Sequence, residues 1–250
     1  MDPINFERIS LLSWPPATLH NVDGWSLGFT NGFTRRANSV YPLSCTGKDL
    51  SSLVDNCEDF YRSRGLRVTF KITTDPSHQE LDHYLEKIGY TQDGFTTVMA
   101  MPLATWQQPV KLQSAGYSLG ISETLESNWI DGLVEIGALA ADNKRNLANI
   151  LGAIQPPHCF ATLNADANMV SAGLGVLSGD HLGLFDIFTK PDHRQRGLAG
   201  NVIASLIKWG LRLGAHTTWL QVVDENLPAL GLYQKLGFKP IYRYWYRSKI

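Results

Sequence analysis

Residues 191–200, PDHRQRGLAG, place two arginines and two glycines between an apolar run, GLFDIF, and a long apolar segment, LAGNVIASLIKWGLRL. Alternation puts Leu182, Leu184, Asp186 and Phe188 on one face of a strand and Gly183, Phe185, Ile187 and Thr189 on the other. Pro191 then ends the strand. In the following segment Leu198, Val202, Leu206, Trp209 and Leu213 recur at helical spacing, opposite a wet stripe of Asn201, Ser205, Lys208 and Arg212. The junction is therefore a strand-to-helix turn. Backbone N–H groups at a helix start lack intrahelical partners and sit at the positive end of the helix dipole, which makes an anion site. Gly197 and Gly200 admit a large anion without a Cβ in its way, and Arg194 and Arg196 add charge at the rim. A diphosphate fits this pattern.

Positioning such a site takes a sheet, and the chain supplies one in each half. In the first half FYRSRGLRVTFKI (60–72) precedes ELDHYLEKIGY (80–90), and in the second KWGLRLGAHTTWLQV (208–222) precedes ALGLYQKLGF (229–238). Each reads as helix end, strand, helix and Gly. Val68, Phe70 and Ile72 alternate with Thr69 and Lys71, as in a strand with one buried face. Gly89-Tyr90 and Gly237-Phe238 fit left-handed C-caps before further strands at 95–103 and 241–247. The polar, Pro-containing stretch ATWQQPVKLQSAG reads as a linker. A length of 250 residues accommodates two such α/β units.

Composition narrows the partners. With 22 basic and 23 acidic residues the chain has a net charge of -1, so no global basic field draws nucleic acid or anionic lipid. No run of 18 apolar residues and no leader-like start occurs, and the expected location is the cytoplasm. Cys45, Cys57 and Cys159 are odd in number and widely spaced, which predicts reduced thiols and no metal site.

The strand, RQRGLA and amphipathic helix together resemble the pyrophosphate-binding motif of the GNAT family of N-acetyltransferases, Arg/Gln-x-x-Gly-x-Gly/Ala, here Arg194-x-x-Gly197-x-Ala199. Dinucleotide and mononucleotide loops fit less well, because no GxGxxG opens a βαβ unit and no GxxxxGK[ST] occurs. The stretch LQVVDENLPALGLYQKLGF resembles the family's next strand, the Asn at its next helix start and the Tyr before a terminal LGF. The resemblance covers residues 120–247 well and the first 103 faintly.

It implies an α/β fold of two GNAT-like mixed-sheet units in tandem, the C-terminal one complete. The expected ranges are a degenerate N-terminal domain at 1–103, a linker at 104–114 and an acetyl-CoA-binding domain at 115–250. Acetyl-CoA, the implied co-substrate, would lie where two parallel strands splay. Ile187, Phe188 and Thr189 would pair with the pantetheine arm, and Arg194, Gln195, Arg196, Gly197, Leu198, Ala199 and Gly200 would hold the diphosphate. Asn226 and Tyr233, seven residues apart and so about 10 Å along one helix face, would touch other parts of the cofactor. By position Tyr233 is the acid for the departing thiolate; it is also explained as a half-buried core tyrosine, and Asn226 as an N-cap. Asp186, a carboxylate beside the wedge, would meet the acceptor amine or an ordinary structural partner. His193 lies in the approach loop.

The first half departs from the pattern. Leu85 stands where the second half has Tyr233, and PLSCTGKDLSS, with Gly47 and Lys48, lacks the glycine motif. It is expected to form a wall of the acceptor site, with Arg35 or Arg36 either meeting an acidic group or serving as surface charges. The expected activity is acetyl transfer to a primary amine of a small molecule. Transfer to a peptide or protein amine and a non-catalytic acetyl-CoA-binding module are the alternatives. Expected partners are the amine and a second copy in a homodimer, with neither nucleic acid nor membrane.

Overall fold

The computed structural model describes residues 2–44, 49–107 and 116–249. Cys45, Gly47, Lys48 and residues 108–114 of the expected linker lie outside the described residues. The chain divides into two compact units, one of Met1–Val98, Val222–Asn226 and Pro240–Ile250, the other of Met99–Gln221 and Leu227–Lys239. The first break falls within five residues of the expected boundary at 103. The expected C-terminal domain, by contrast, is not contiguous: 222–226 and the last strand belong to the first unit, because that strand pairs there.

The first unit contains α1 (Pro3–Ser13), β1 (Thr18–Val22), β2 (Trp25–Phe29), β3 (Val40–Tyr41), α2 (Leu50–Arg62), β4 (Thr69–Thr73), α3 (Gln79–Lys87) and most of β5 (Thr91–Pro102). The second holds β6 (Tyr117–Ser122), α4 (Ser127–Glu135), α5 (Lys144–Ala153), β7 (His158–Ala165), β8 (Asn168–Ser178), β9 (His181–Thr189) and α6 (Leu198–Arg212). It also holds most of β10 (Thr217–Val223) and α7 (Leu227–Lys235), and the chain then enters β11 (Lys239–Ser248).

In the first unit β3 and β4 run parallel, Val40 opposite Phe70, and β11 lies antiparallel to β4 from Tyr244↔Thr73 to Ser248↔Thr69. Its core joins Trp25, Leu27, Phe70 and Ile72 of the sheet to Leu53, Cys57 and Tyr61 of α2 and Leu81 and Leu85 of α3. The expectation of a single buried face for β4 is corrected: every residue of the strand is buried. The Lys71 ammonium lies 2.6 Å from Glu7 Oε2 of α1, and Tyr242 donates to Glu7 Oε1 at 2.7 Å. The Tyr244 ring lies 3.9 Å from the ammonium. A buried charge needs such a partner and hydrogen bonds to be tolerated, which is why α1 covers this face.

In the second unit the sheet order is β10-β9-β8-β7-β6, parallel between β10 and β9 and antiparallel elsewhere. Helix α6 packs on one face. A Cβ at Gly173 would come within 2.6 Å of Ile187 Cδ1 and 2.8 Å of Val202 Cγ1, so only glycine lets the helix approach there. Leu213, assigned to the buried stripe by spacing, is 48% exposed, since α6 ends at Arg212. Both predicted Gly caps are present. Gly89 and Gly237 have φ of 93° and 98°, and the N–H groups of Tyr90 and Phe238 bond back to the carbonyls of Leu85 and Tyr233. Cys57 and Cys159 are buried free thiols, pushed up to about 12 by burial. Among the described residues no helix is long and apolar enough to cross a membrane.

Candidate active site

The site begins with a strand that changes phase. Along β8 and β9 the register runs Leu174↔Phe185 and then Ala172↔Phe188, so Asp186 and Ile187 together oppose Gly173. This is a β-bulge, and Asp186 adopts the left-handed region at φ 50°. The extra residue overturns the simple alternation. Paired positions share a face, so Phe188 joins Phe185 and not Leu184, while Ile187 faces α6. Asp186 is half-buried in the bulge itself. The parallel ladder between β9 and β10 ends at Leu184↔Leu220, yet β9 runs on through Phe185–Thr189. The parallel register with β10 therefore does not extend to Ile187, Phe188 and Thr189, the residues expected to line a wedge.

Beyond Thr189 a single 3₁₀ turn, Pro191–His193, leads into Arg194–Gly197. Arg194 Nε donates to the Thr189 carbonyl at 3.1 Å, and its guanidinium carbon lies 5.6 Å from the centre of the Phe188 ring. Arg196 donates from Nη1 to the Tyr117 hydroxyl at 3.0 Å and from Nη2 to the Asp192 carbonyl at 3.1 Å. Tyr117 in turn contacts His193 Nδ1 at 3.2 Å. Both arginines, with Gln195, remain exposed. Tyr117 is the member that the sequence reading missed, because 79 positions separate it from Arg196 and no local pattern joins them.

Gly197 precedes α6 in the left-handed conformation, φ 75° and ψ 7°, and no side chain caps the helix. The first intrahelical bond runs from Asn201 N–H to the Gly197 carbonyl, so the amides of Leu198, Ala199 and Gly200 precede the ladder. Gly200 is buried, yet a Cβ there would meet no atom within 4 Å outside its own helix. Open space, uncapped amides and two tethered guanidinium groups fit a diphosphate. Leu198 is 2% exposed, so its side chain belongs to the core and only its amide is available.

Tyr233 lies in α7 of the same unit, 8% exposed, its ring 5.9 Å from Phe238. Its hydroxyl has no hydrogen-bond partner among the described residues, and burial pushes the phenol up to about 12. Asn226 immediately precedes α7, but belongs to the first unit. Arg35 pairs with Asp93 at 2.5 Å, and the Arg36 guanidinium lies 4.7 Å from the centre of the Trp14 ring, both within the first unit. Asn38, between the two arginines and β3, accepts from the amides of Thr30 and Gly32 and so shapes that loop.

The profile of the family described as "Probable histone acetyltransferase Rv0428c C-terminal" matches residues 4–247. The chain is 28% identical to the protein named "Uncharacterized N-acetyltransferase YobR" of Bacillus subtilis, over 100% of both. It is 36% identical over 76 residues to the [ribosomal protein bS18]-alanine N-acetyltransferase of Salmonella typhimurium, 30% of this chain and 51% of that one. Among solved structures the fold is shared with a GCN5-related N-acetyltransferase from Kribbella flavida, with a TM-score of 0.72, 12% identity and coverage of 98% of this chain and 95% of that one. It is shared also with a tandem GNAT protein from the clavulanic acid biosynthesis pathway, with a TM-score of 0.71, 12% identity and coverage of 98% and 87%.

Proposed function

We propose that this chain, which belongs to the GNAT family of N-acetyltransferases, transfers the acetyl group of acetyl-CoA to a primary amine of a small molecule. The observation that carries the reading is the start of α6, where a left-handed glycine, open space and uncapped amides lie next to a bulged strand whose parallel ladder stops short. Acetyl-CoA, when bound, supplies the activated acetyl thioester.

The chain's own residues then have distinct tasks. The amides of Leu198, Ala199 and Gly200, with Arg194, Gln195 and Arg196 at the rim, hold the diphosphate, while Gly197 keeps the approach open. Ile187, Phe188 and Thr189 offer backbone along the wedge for the pantetheine amides. Asp186 faces the acceptor amine, which must shed a proton before it attacks. Asn226 fixes the start of α7 and Tyr233 directs its phenol proton at the departing sulfur. Complete transfer from a phenol near 12 to a thiolate whose acid is about 8.5 would be uphill by about 5 kcal/mol. Tyr233 therefore acts as a hydrogen-bond donor to the charge developing on the sulfur, and the released thiolate takes its proton from solvent.

A second reading, transfer to a protein α-amine, is favoured by the local likeness to the alanine N-acetyltransferases. A thiol-release assay with acetyl-CoA, run against small amines and peptides ending in free α-amines, separates the two. Turnover confined to peptides would replace the small-molecule reading. Binding of CoA without thiol release from any acceptor would leave a non-catalytic module.

A further inference from the structure

The hydroxyl of Tyr117 reaches both sides of the turn before α6, although Tyr117 itself opens β6, whose register to β7 begins at Tyr117↔Ala165. Arg196 Nη1 donates to it at 3.0 Å, and His193 Nδ1 lies 3.2 Å away. A guanidinium only donates, so the phenol oxygen accepts from Arg196 and its one hydrogen is left for an unprotonated His193 Nδ1. The Tyr117 and His193 rings also meet edge to face, centroids 6.0 Å apart. Between the two tethered residues Gln195 adopts φ 60°, a left-handed conformation that residues with a Cβ resist. One side chain from a distant strand thus holds a strained turn.

The tether orders the guanidinium without neutralising it. Its other contact, from Nη2 to the Asp192 carbonyl at 3.1 Å, is to a neutral oxygen as well, while the Asp192 carboxylate lies 3.8 Å from the Lys190 ammonium. The remaining N–H bonds of Arg196 are left for an anion. An exposed arginine otherwise samples many rotamers, and ordering it at the moment of binding costs affinity. Arg194 differs, because its tether is the Thr189 carbonyl five residues earlier and involves no other strand. We propose, on the reading that the start of α6 binds the diphosphate, that Tyr117 is a positioning residue for the co-substrate, its hydroxyl holding Arg196 ready for that group.

Titration calorimetry on the full chain tests this with CoA and with dephospho-CoA, which keeps the diphosphate and lacks the 3′-phosphate. Tyr117→Phe removes only the hydroxyl and keeps the ring against His193, so the fold should persist and the Kd for both ligands should rise by roughly three- to ten-fold. Arg196→Gln should weaken both at least as much. In an Arg196→Gln background Tyr117→Phe should have at most about a two-fold further effect, whereas a merely structural role would weaken binding with or without the arginine. A Kd in folded Tyr117→Phe within about two-fold of wild type, or a larger further effect in the absence of Arg196, would overturn the positioning role. An effect confined to CoA would overturn it too, by assigning the guanidinium to the 3′-phosphate. Absence of CoA binding to the wild-type chain is a separate failure, that of the diphosphate site itself.

Discussion

Helices α2 and α6 are the crossovers of two parallel strand pairs, β3 with β4 and β9 with β10, yet they begin in opposite ways. At α2 the Asp49 carboxylate accepts from the Ser51 amide at 3.1 Å and from the Ser52 hydroxyl at 2.6 Å. Those hydrogen bonds, that from the Ser52 side chain foremost, hold its carboxyl below the usual range. At α6 the corresponding position is Gly197, which offers no side chain at all. One helix start is filled by the chain's own anion, and the other carries no side-chain cap. The same contrast recurs one helix later. Leu85 and Tyr233 each accept, through the backbone carbonyl, the closing bond of a Gly-capped helix, but only Tyr233 carries a proton donor.

The sharpest way to break the contrast is to spoil the open helix start. Gly197→Val forces a β-branched residue into φ 75° and puts methyl groups where a diphosphate must pass. Loss of at least one charge-assisted hydrogen bond worth about 1.5–3 kcal/mol predicts a roughly ten- to hundred-fold loss of CoA affinity, while the backbone strain of about 1–2 kcal/mol falls on folding stability. Titration calorimetry on the folded variant measures it, and unchanged affinity would move the diphosphate elsewhere.

Giving the second unit the first unit's lack of a donor is the next test. Tyr233→Phe should reduce single-turnover acetyl transfer by roughly ten- to a thousand-fold while CoA binding persists. Because burial raises the wild-type phenol, it stays protonated below pH 10, and the rate should show no alkaline limb from this group there. An unchanged chemical step would leave Tyr233 as packing alone.

Stoichiometry sharpens the comparison without any mutation. The carboxylate at α2 repels a diphosphate, so calorimetry should find one CoA per chain; two sites of similar affinity would contradict the reading of α2.

The smallest effect concerns Asp49 itself. Its folded-state pKa is lowered, so its contribution to stability is present above the unfolded value of about 3.9 and is lost as pH falls through the folded value. Asp49→Ala should therefore lower the Tm slightly at pH 7, with the two melting curves converging in acid once the carboxylate is protonated in the folded state. A gap that persists in acid would assign the effect to something other than the carboxylate.

The sequence by itself determined what depends on neighbours in the chain. Glycines at 89, 197 and 237 mark backbone conformations that other residues resist, and helical and two-residue periods reveal α6, β5 and β11, because both signals act over one to four residues. The left-handed glycine before α6 was legible for that reason, whereas the role expected of Tyr233 came from its place in the family resemblance. Only the tertiary structure decided the phase of β9, since a bulge depends on how two strands register and leaves no mark in the alternation of one. The same holds for Lys71, which reads as a wet-face residue until Glu7, 64 positions away, meets it in the core. Tyr117 beside Arg196 and the placing of 240–250 in the first unit are likewise long-range pairings. Such pairings are selected by burial and hydrogen-bond closure across the whole fold, and no local window of residues contains them.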